Sequence, residues 1–160
     1  MVGTALSELT HVDERISQYD KYIAKAAAED EQSGQLMRLS GIGPTTASAI
    51  VATVGKGHDF TCDRQFCAWL GLVPGQYSSG GQQRLGRITK AGDPYLRTLL
   101  IMGAKAVLNA AKNNADPVSR WAIQIQQRRG YWKAVVAVAA KNARMCWAML
   151  QRGDASKLPA

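Results

Sequence analysis

The sequence predicts an all-α fold on three observations. Apolar residues within residues 1–30 recur at alternating spacings of three and four, as they do along one side of a helix. The pairs Asp93-Pro94 and Asp116-Pro117 each precede a long stretch rich in alanine and leucine, and both pairs are typical helix starts. No stretch alternates convincingly between apolar and polar residues, so no strand is expected.

The N-terminal segment, residues 1–33, is predicted to be a coiled-coil helix followed by a linker, with Gly34 as the natural stop of the helix. A seam this short is marginal alone, so we expect it to continue a longer helix or to pair with another chain. The alternative is a plain amphipathic helix packed on its own domain. The seam has heptad spacing, with charged residues off it: Leu9, Val12, Ile16, Tyr19, Ile23 and Ala26.

The charge distribution points to a polyanionic partner. The chain of 160 residues carries a net charge of +8, but the two halves differ in sign. Residues 1–79 hold six Lys/Arg and nine Asp/Glu, whereas residues 80–160 hold fourteen and three. A field this lopsided most often attracts nucleic acid, so we expect a nucleic-acid partner. A solubilising surface, or binding to an acidic protein or membrane, is the alternative.

Length, hydropathy and cysteine content argue against several classes of protein, namely membrane, secreted and zinc-binding proteins. The length fits one domain, predicted over residues 34–153, with a frayed tail at 154–160. No apolar run is long enough to span a membrane, and the N-terminus lacks the pattern of a signal peptide. Three cysteines without framework spacing suggest a reducing cytoplasm, and their spacing matches no zinc site. We therefore expect no membrane contact and no metal ligands in this chain.

A glycine turn at residues 36–55 resembles a helix-hairpin-helix, a module that binds the DNA backbone. Gly41 and Gly43 are expected to permit a tight turn with positive φ, and Pro44 to open the following helix. Backbone amides at such a helix start, including that of Thr45, form a cradle for a phosphate. The alternative is an ordinary glycine turn between helices.

A Gly/Ser-rich loop follows, in "GQYSSGGQQRLGRITKAGDPYLR", residues 75–97. It offers four cations as phosphate partners: Arg84, Arg87, Lys90 and Arg97. There is no nucleophile-elbow motif, and only His11 and His58 could act as imidazole bases, so a hydrolase triad is not expected. Phosphoryl transfer needs charge neutralisation and often carboxylate-held metal. The loop supplies the cations for charge neutralisation but no carboxylates to hold a metal. It therefore offers only half of a phosphoryl-transfer site.

Three helices are expected beyond this loop. The first, from Pro94, should turn its apolar residues to the core; the residues expected there are Leu96, Leu99, Leu100, Met102 and Ala106. The second should run from Pro117 to a stop at Gly130. The third, from Tyr131, is apolar and rich in alanine, so we expect it to pack centrally and to end at Gly153.

Taken together, an ordered string of motifs resembles the C-terminal transposase domain of the DEDD insertion-sequence transposases, bacterial recombinases guided by a bridge RNA. The resemblance covers roughly residues 36–150, and residues 1–30 look like the end of that family's coiled coil. The motifs are "RLSGIGPTTASAIVATVG", "FCAWLGLVP", "YSSGG", "RLGRITKAGDPYLRTLLI" and "KAVVAVAAKNARMCWAML".

The resemblance implies a chemistry. The family joins a RuvC-like domain, whose four acids hold metal, to a serine that attacks a DNA phosphodiester and leaves a phosphoserine intermediate. The frame of Pro74, Tyr77 and Gly80 places that serine on Ser79, with Ser78 as the runner-up. DNA and bridge RNA are the partners that the resemblance implies, and the heptad seam of residues 1–33 favours a second copy of the chain as a further partner. Magnesium is implied only in the RuvC-like domain.

These 160 residues depart from the family's pattern in one large respect, because no RuvC-like half is recognised among them. We therefore expect this chain by itself to bind DNA without strand transfer. The alternative function is a non-catalytic helix-hairpin-helix module that grips the DNA backbone, in which Ser79 is merely a loop residue.

Overall fold

A computed structural model describes residues 2–79, 82–114 and 116–152, and this part of the chain is mostly helical. The predicted all-α class is confirmed. A short 3-10 turn, Ala111–Asn113, follows the fifth helix. The elements are α1 (Val2–Glu29), α2 (Glu31–Leu36), α3 (Pro44–Val54), α4 (Asp63–Trp69), β1 (Pro74–Ser79), β2 (Gln82–Ile88), α5 (Pro94–Ala110), α6 (Pro117–Arg129) and α7 (Tyr131–Arg152).

Helix α7 is the centre of the fold, as its apolar sequence predicts. It contacts α2, α4, α5 and α6. Its buried side chains are small or medium-sized, which lets the surrounding helices approach closely; they are Ala134, Val135, Val138, Ala139, Asn142, Ala143, Cys146, Met149 and Leu150. The stop expected at Gly153 and the tail at 154–160 lie outside the described residues.

Helix α5 begins where the sequence predicts, and α6 both begins and ends where the sequence predicts. The buried face of α5, however, differs from the prediction. Leu96 and Leu100 are fully buried as expected. Met102 is 57% exposed and Ala106 is also exposed, so their placement in the core was wrong. The face that packs on α7 instead continues at spacings of four and three, through Ala104, Val107 and Leu108.

Helix α1 is one continuous helix whose predicted seam faces solvent over most of its length. Leu9, Val12, Ile16 and Tyr19 are all about half exposed or more. Near its end, Ala27 is buried, and α1 packs against α2 and α3. The expected stop at Gly34 was wrong, because Asp30 accepts a hydrogen bond from the Ser33 amide and restarts a helix that contains Gly34.

The predicted Gly/Ser-rich loop is a β-hairpin, which corrects the expectation that the chain has no strand. Strands β1 and β2 pair in antiparallel fashion, with a register shift near Pro74. In the sequence the two runs are separated by Gly80-Gly81, a pair typical of a two-residue hairpin connection, and this pair is the signal that indicates a hairpin here. Neither run has the β-branched alternation that marks a strand.

No helix in the described part of the chain is long and apolar enough to cross a membrane. Within the same residues, no three His, Cys, Asp or Glu side chains come together in a metal-binding group. Burial raises the pKa of the Cys146 thiol to about 12, and burial also raises that of Cys67. Both thiols are therefore neutral parts of the core rather than nucleophiles.

Candidate functional site

The glycine turn between α2 and α3 is held in place by two distant helices. The side-chain amide of Asn142, on α7, donates a hydrogen bond of 2.9 Å to the carbonyl of Ser40. Gly41 has a φ of +86° and lies against α5, where an added Cβ would come within 2.7 Å of Val107 and 2.8 Å of the Gly103 carbonyl. The turn therefore has little freedom, and only glycine fits at residue 41.

Gly43 behaves differently from the prediction. Its φ is −92°, which any residue can adopt, so the expected positive φ was wrong at this position although it is confirmed at Gly41. A Cβ at Gly43 would meet nothing within 4 Å. Gly43 is the N-cap of α3, and Pro44 occupies the first turn as predicted.

The start of α3 lacks the side-chain cap that α5 and α6 possess. All three helices begin with a proline, but the carboxylates of Asp93 and Asp116 accept hydrogen bonds from the first-turn amides of α5 and α6. Gly43 makes no such bond to α3. The amides of Thr45 and Thr46 are thus left to an external acceptor, which can be water or an anion.

An open groove of about 450 Å³ lies between the glycine turn and α5. Its lining is mainly apolar and comes from Gly41, Ile42, Gly43, Thr46, Leu99, Met102, Gly103 and Ala106. The exposed Met102 side chain is one wall of it. The groove brings Gly41 and Gly43 to one surface, but it holds no cation of its own.

The hairpin places the candidate serine and arginine by its register. Ser79 pairs with Gln82, Ser78 with Gln83, and Tyr77 with Arg84. Alternate positions of a strand lie on the same face, so positions 77 and 79 share a face with position 84. The Tyr77 ring lies across this face beside Gly86, where an added Cβ would come within 3.0 Å of it.

The four predicted phosphate partners lie on three successive segments of the chain. Arg84 and Arg87 are both exposed on β2, and the register shift of the hairpin falls between them, so simple strand alternation does not assign them to opposite faces. Lys90 is exposed just beyond the hairpin, with a φ of +55°. Arg97 lies on α5 and is only half-exposed.

Arg97 holds the base of the hairpin in position. Its Nη1 donates to the carbonyls of Leu70 at 3.1 Å, Ala91 at 3.2 Å and Asp93 at 3.5 Å. These carbonyls belong to the end of α4 and to the segment that joins β2 to α5. One guanidinium therefore ties both ends of the hairpin to the helices, a structural role that the sequence did not predict.

Two glycines let the segment before β1 and the segment after β2 approach each other closely. Gly71 and Gly92 both have positive φ. A Cβ at Gly71 would overlap the carbonyl of Ala91, and a Cβ at Gly92 would overlap that of Trp69. The backbones before and after the hairpin are thus in direct contact, while Tyr77 and Leu85 farther out are 74% and 66% exposed. The hairpin projects from a rigid base.

Comparison with known proteins places these features in a family. Residues 33–119 match the model of the "Transposase IS116/IS110/IS902 family", a stretch that contains the glycine turn, the hairpin and the whole of α5. The chain belongs to this family.

Individual members of the IS116/IS110/IS902 family are similar over nearly the whole chain. A "Probable family 20 transposase" of Pseudomonas aeruginosa is 48% identical over 145 residues, which is 91% of this chain and 43% of that protein. The "Transposase for insertion sequence element IS1111A" of Coxiella burnetii is 41% identical over 92% of the chain. The "Transposase for insertion sequence element IS1328" of Yersinia enterocolitica is 33% identical over 88%. The chain spans about two fifths of the length of these relatives.

The part of this family member that follows the hairpin is strongly basic. Residues 94–152 contain ten Lys/Arg and one acid, Asp116, which is engaged as the α6 cap. An ion pair joins Lys25 to Glu29, both exposed on α1. In residues 94–152 the cations outnumber the acids by ten to one, and this excess of positive charge favours a polyanionic partner.

Proposed function

We propose that this chain is the serine-bearing part of an insertion-sequence transposase, with Ser79 as the nucleophile for DNA strand exchange. The observation that carries the proposal is the hairpin itself, which projects from a braced base and holds the Ser79 position on the same face as Arg84. An exposed hairpin can enter a DNA groove or strand junction, whereas a buried loop cannot. Ser78, which pairs with Gln83, is the runner-up.

The proposed step conserves atoms without an added reactant. The Ser79 hydroxyl oxygen forms a bond to a DNA phosphorus, and the bond from that phosphorus to one deoxyribose oxygen breaks. The serine proton passes to the leaving oxygen, which departs as a hydroxyl group. The resulting phosphoserine ester retains the phosphodiester's bond count, so a second hydroxyl can reverse the step and join a different strand.

The cations assist this step by charge. Arg84 shares the face of the serine position and is proposed to contact the scissile phosphate. Arg87 and Lys90 are proposed to contact adjacent phosphates, since both are exposed near the same hairpin. Arg97 reaches DNA in this proposal only at the hairpin base, because its Nη1 is engaged with backbone carbonyls.

Magnesium does not fit the described part of this chain, where no three potential ligands come together. We propose that the family's RuvC-like domain supplies both Mg²⁺ and its carboxylates. Bridge RNA is proposed as the partner that specifies the target. This chain alone is proposed to bind DNA without strand transfer, in the cytoplasm where DNA is found.

A second role is favoured by the glycine turn. Gly41, Gly43 and Thr45 are proposed to form a helix-hairpin-helix that holds a DNA phosphate at the uncapped start of α3. The bracing by Asn142 and Gly103 favours this role, because a cradle must hold its shape before the phosphate arrives. In the non-catalytic alternative, this cradle is the whole function.

A chimera separates the two roles. This chain replaces the matching region of a full-length family member, and the chimera is incubated with donor DNA, bridge RNA and Mg²⁺. We expect an SDS-resistant protein–DNA adduct that alkali cleaves, as it does a phosphoserine ester. Ser79→Ala should abolish the adduct and Ser78→Ala should preserve it. The reverse pattern assigns the runner-up, and an adduct that survives the double substitution rejects a serine nucleophile in favour of the binding role.

Binding is tested on the chain itself. Duplex DNA affinity should fall steeply with salt, and Arg84→Gln or Arg87→Gln should each reduce the slope of log affinity against log salt by about 1. Arg15→Gln, an exposed arginine on α1, is the matched control and should leave the slope unchanged. Equal slopes for all three variants contradict the proposed phosphate contacts.

A further inference from the structure

The junction of α6 and α7 carries an exposed tryptophan among cations, and neither the hairpin nor the glycine turn involves it. Trp132 is 66% exposed although it is the largest side-chain type. Its ring meets Tyr131 edge-on, with centroids 5.4 Å apart. Tyr131 is partly buried against the core, while most of the neighbouring indole stays open to solvent.

One cation lies beside this ring in space, and three more are close to it along the chain. The Lys105 ammonium, from α5, lies 5.9 Å from the ring centroid, so three helices meet here. Arg128 and Arg129 end α6 two residues before α7 begins, and Lys133 follows the tryptophan directly; all three are exposed. No acid occurs between Asp116 and Asp154 in the sequence.

We infer that Trp132 is a stacking platform for an unpaired nucleobase, with Arg128, Arg129 and Lys133 on the flanking phosphates. A partner that matches this surface must be flat, aromatic and negatively charged on both sides, and single-stranded nucleic acid has that chemistry. Paired bases are hidden in their own stack, so a duplex can reach the cations but not the indole face. An acidic protein segment would neutralise the cations but would place no planar base on the exposed indole.

This inference rests on the proposed nucleic-acid role of the chain but concerns a different surface. It assigns to the α6–α7 junction a preference for unpaired strands, whereas the hairpin and the glycine turn act on the DNA backbone. Single-stranded RNA and a displaced DNA strand share the chemistry that the site requires. The two are separated by the probes below.

The test compares three probes of one sequence: single-stranded RNA, single-stranded DNA and duplex DNA. Affinities are measured by fluorescence anisotropy on the purified chain. We expect Trp132→Ala to weaken single-strand binding by about fivefold or more, the effect of losing one stacked base. Duplex binding should change by less than about twofold, because no duplex base reaches the ring. Trp132→Phe should keep most of the affinity, and Tyr22→Ala, an equally exposed aromatic on α1, is the control.

A direct readout accompanies the affinities. A single strand containing 5-iodouracil should photocrosslink to the tryptic peptide of residues 130–133, and the adduct should be lost in Trp132→Ala. Stronger crosslinking and tighter binding by RNA identify an RNA partner, and the reverse identifies a DNA strand.

The other outcomes overturn the inference in distinguishable ways. Normal duplex binding with single-strand binding unaffected by Trp132→Ala rejects the stacking site alone and leaves the proposed function standing. Equal weakening of all three probes, or loss in Trp132→Phe as large as in Trp132→Ala, shows that stacking is not the interaction. Failure of the wild-type chain to bind any probe overturns both this inference and the proposed binding function.

Discussion

Gly41 and Gly103 lie in backbone contact although 62 residues separate them: a Cβ on Gly103 would overlap the carbonyl oxygen of Gly41. Gly103 is in the middle of α5, where glycine is normally less stable than alanine by about 1 kcal/mol. The contact explains why a glycine is nevertheless needed there. It packs the glycine turn directly against α5.

Gly103→Ala should therefore destabilise the chain in spite of its better helix propensity. Overpacking against backbone costs about 1–3 kcal/mol, which exceeds the propensity gain. The melting temperature should fall by about 2–4 °C for each kcal/mol. Gly34→Ala is the control, since Gly34 lies in α2 with open space around its Cβ position and should be neutral or stabilising. A melting temperature for Gly103→Ala at or above wild type contradicts the contact.

Arg97→Met should loosen the hairpin base. The carbonyls of Leu70, Ala91 and Asp93 lose the guanidinium donor, and the net contribution of such a hydrogen bond is about 0.5–1.5 kcal/mol. We expect a lower melting temperature and faster tryptic cleavage after Arg84 and Arg87. Arg120→Met, an exposed arginine on α6, should show neither effect. If Arg97→Met instead lowers DNA affinity at unchanged stability and cleavage rate, then Arg97 is a phosphate contact rather than a clamp.

Stability should depend on pH through the Asp116 cap. The Ser119 hydroxyl, followed by the backbone amides of Ser119 and Val118, holds the pKa of Asp116 below its ordinary value. The unfolded chain then binds more protons near pH 4, so this stabilisation is present above the unfolded pKa of about 3.9. It is lost as pH falls through the depressed folded pKa.

Ser119→Ala tests that linkage. It should lower the free energy of unfolding by about 0.5–1.5 kcal/mol at pH 7, and the deficit should shrink as the pH approaches 3. NMR should show the Asp116 pKa rising towards its ordinary value. Thr98→Ala is the control, because the Thr98 hydroxyl donates to the Pro94 carbonyl and no carboxylate is involved. A deficit that stays constant with pH speaks against the linkage.

The exposed seam of α1 should mediate self-association. A helix whose apolar residues stay half exposed or more is marginal in water, and a second copy would bury the same stripe. Leu9→Glu combined with Ile16→Glu should reduce the sedimentation-derived mass to that of one chain. Ser17→Glu, an exposed position off the seam, should keep the wild-type mass. A wild-type chain that is already monomeric at high micromolar concentration rules out this pairing.

Local signals in the sequence predicted much of this fold. The Asp-Pro starts of α5 and α6 and the stop at Gly130 are confirmed, because caps and proline act within one turn of the chain. The central position of α7 followed from its apolar composition. The hairpin was missed because its strands lack β-branched alternation, and only Gly80-Gly81 marked it.

The geometry of the candidate site depends more on contacts between residues that are far apart in the chain. A single sequence does not reveal such contacts. Gly41 was singled out for its φ, but its packing on Gly103 joins residues far apart in the chain. Arg97 was predicted to contact phosphate because a guanidinium in a basic segment suggests it. Its three carbonyl partners belong to segments that only folding brings together. Trp132 lies in a segment that was predicted to be helical. The spacing of apolar residues alone does not tell whether its side chain is exposed or buried.

The clamped base of the hairpin has a consequence for how the family can diversify. The outer positions of β1 and β2 contact mainly each other, while Gly71, Gly92 and Arg97 bear the attachment to the helices. Substitutions towards the tip therefore change what the hairpin meets without straining the helical body. The helical domain and the hairpin base thus form a constant scaffold. The hairpin of a relative could be grafted between residues 74 and 88 without other changes to the helical domain.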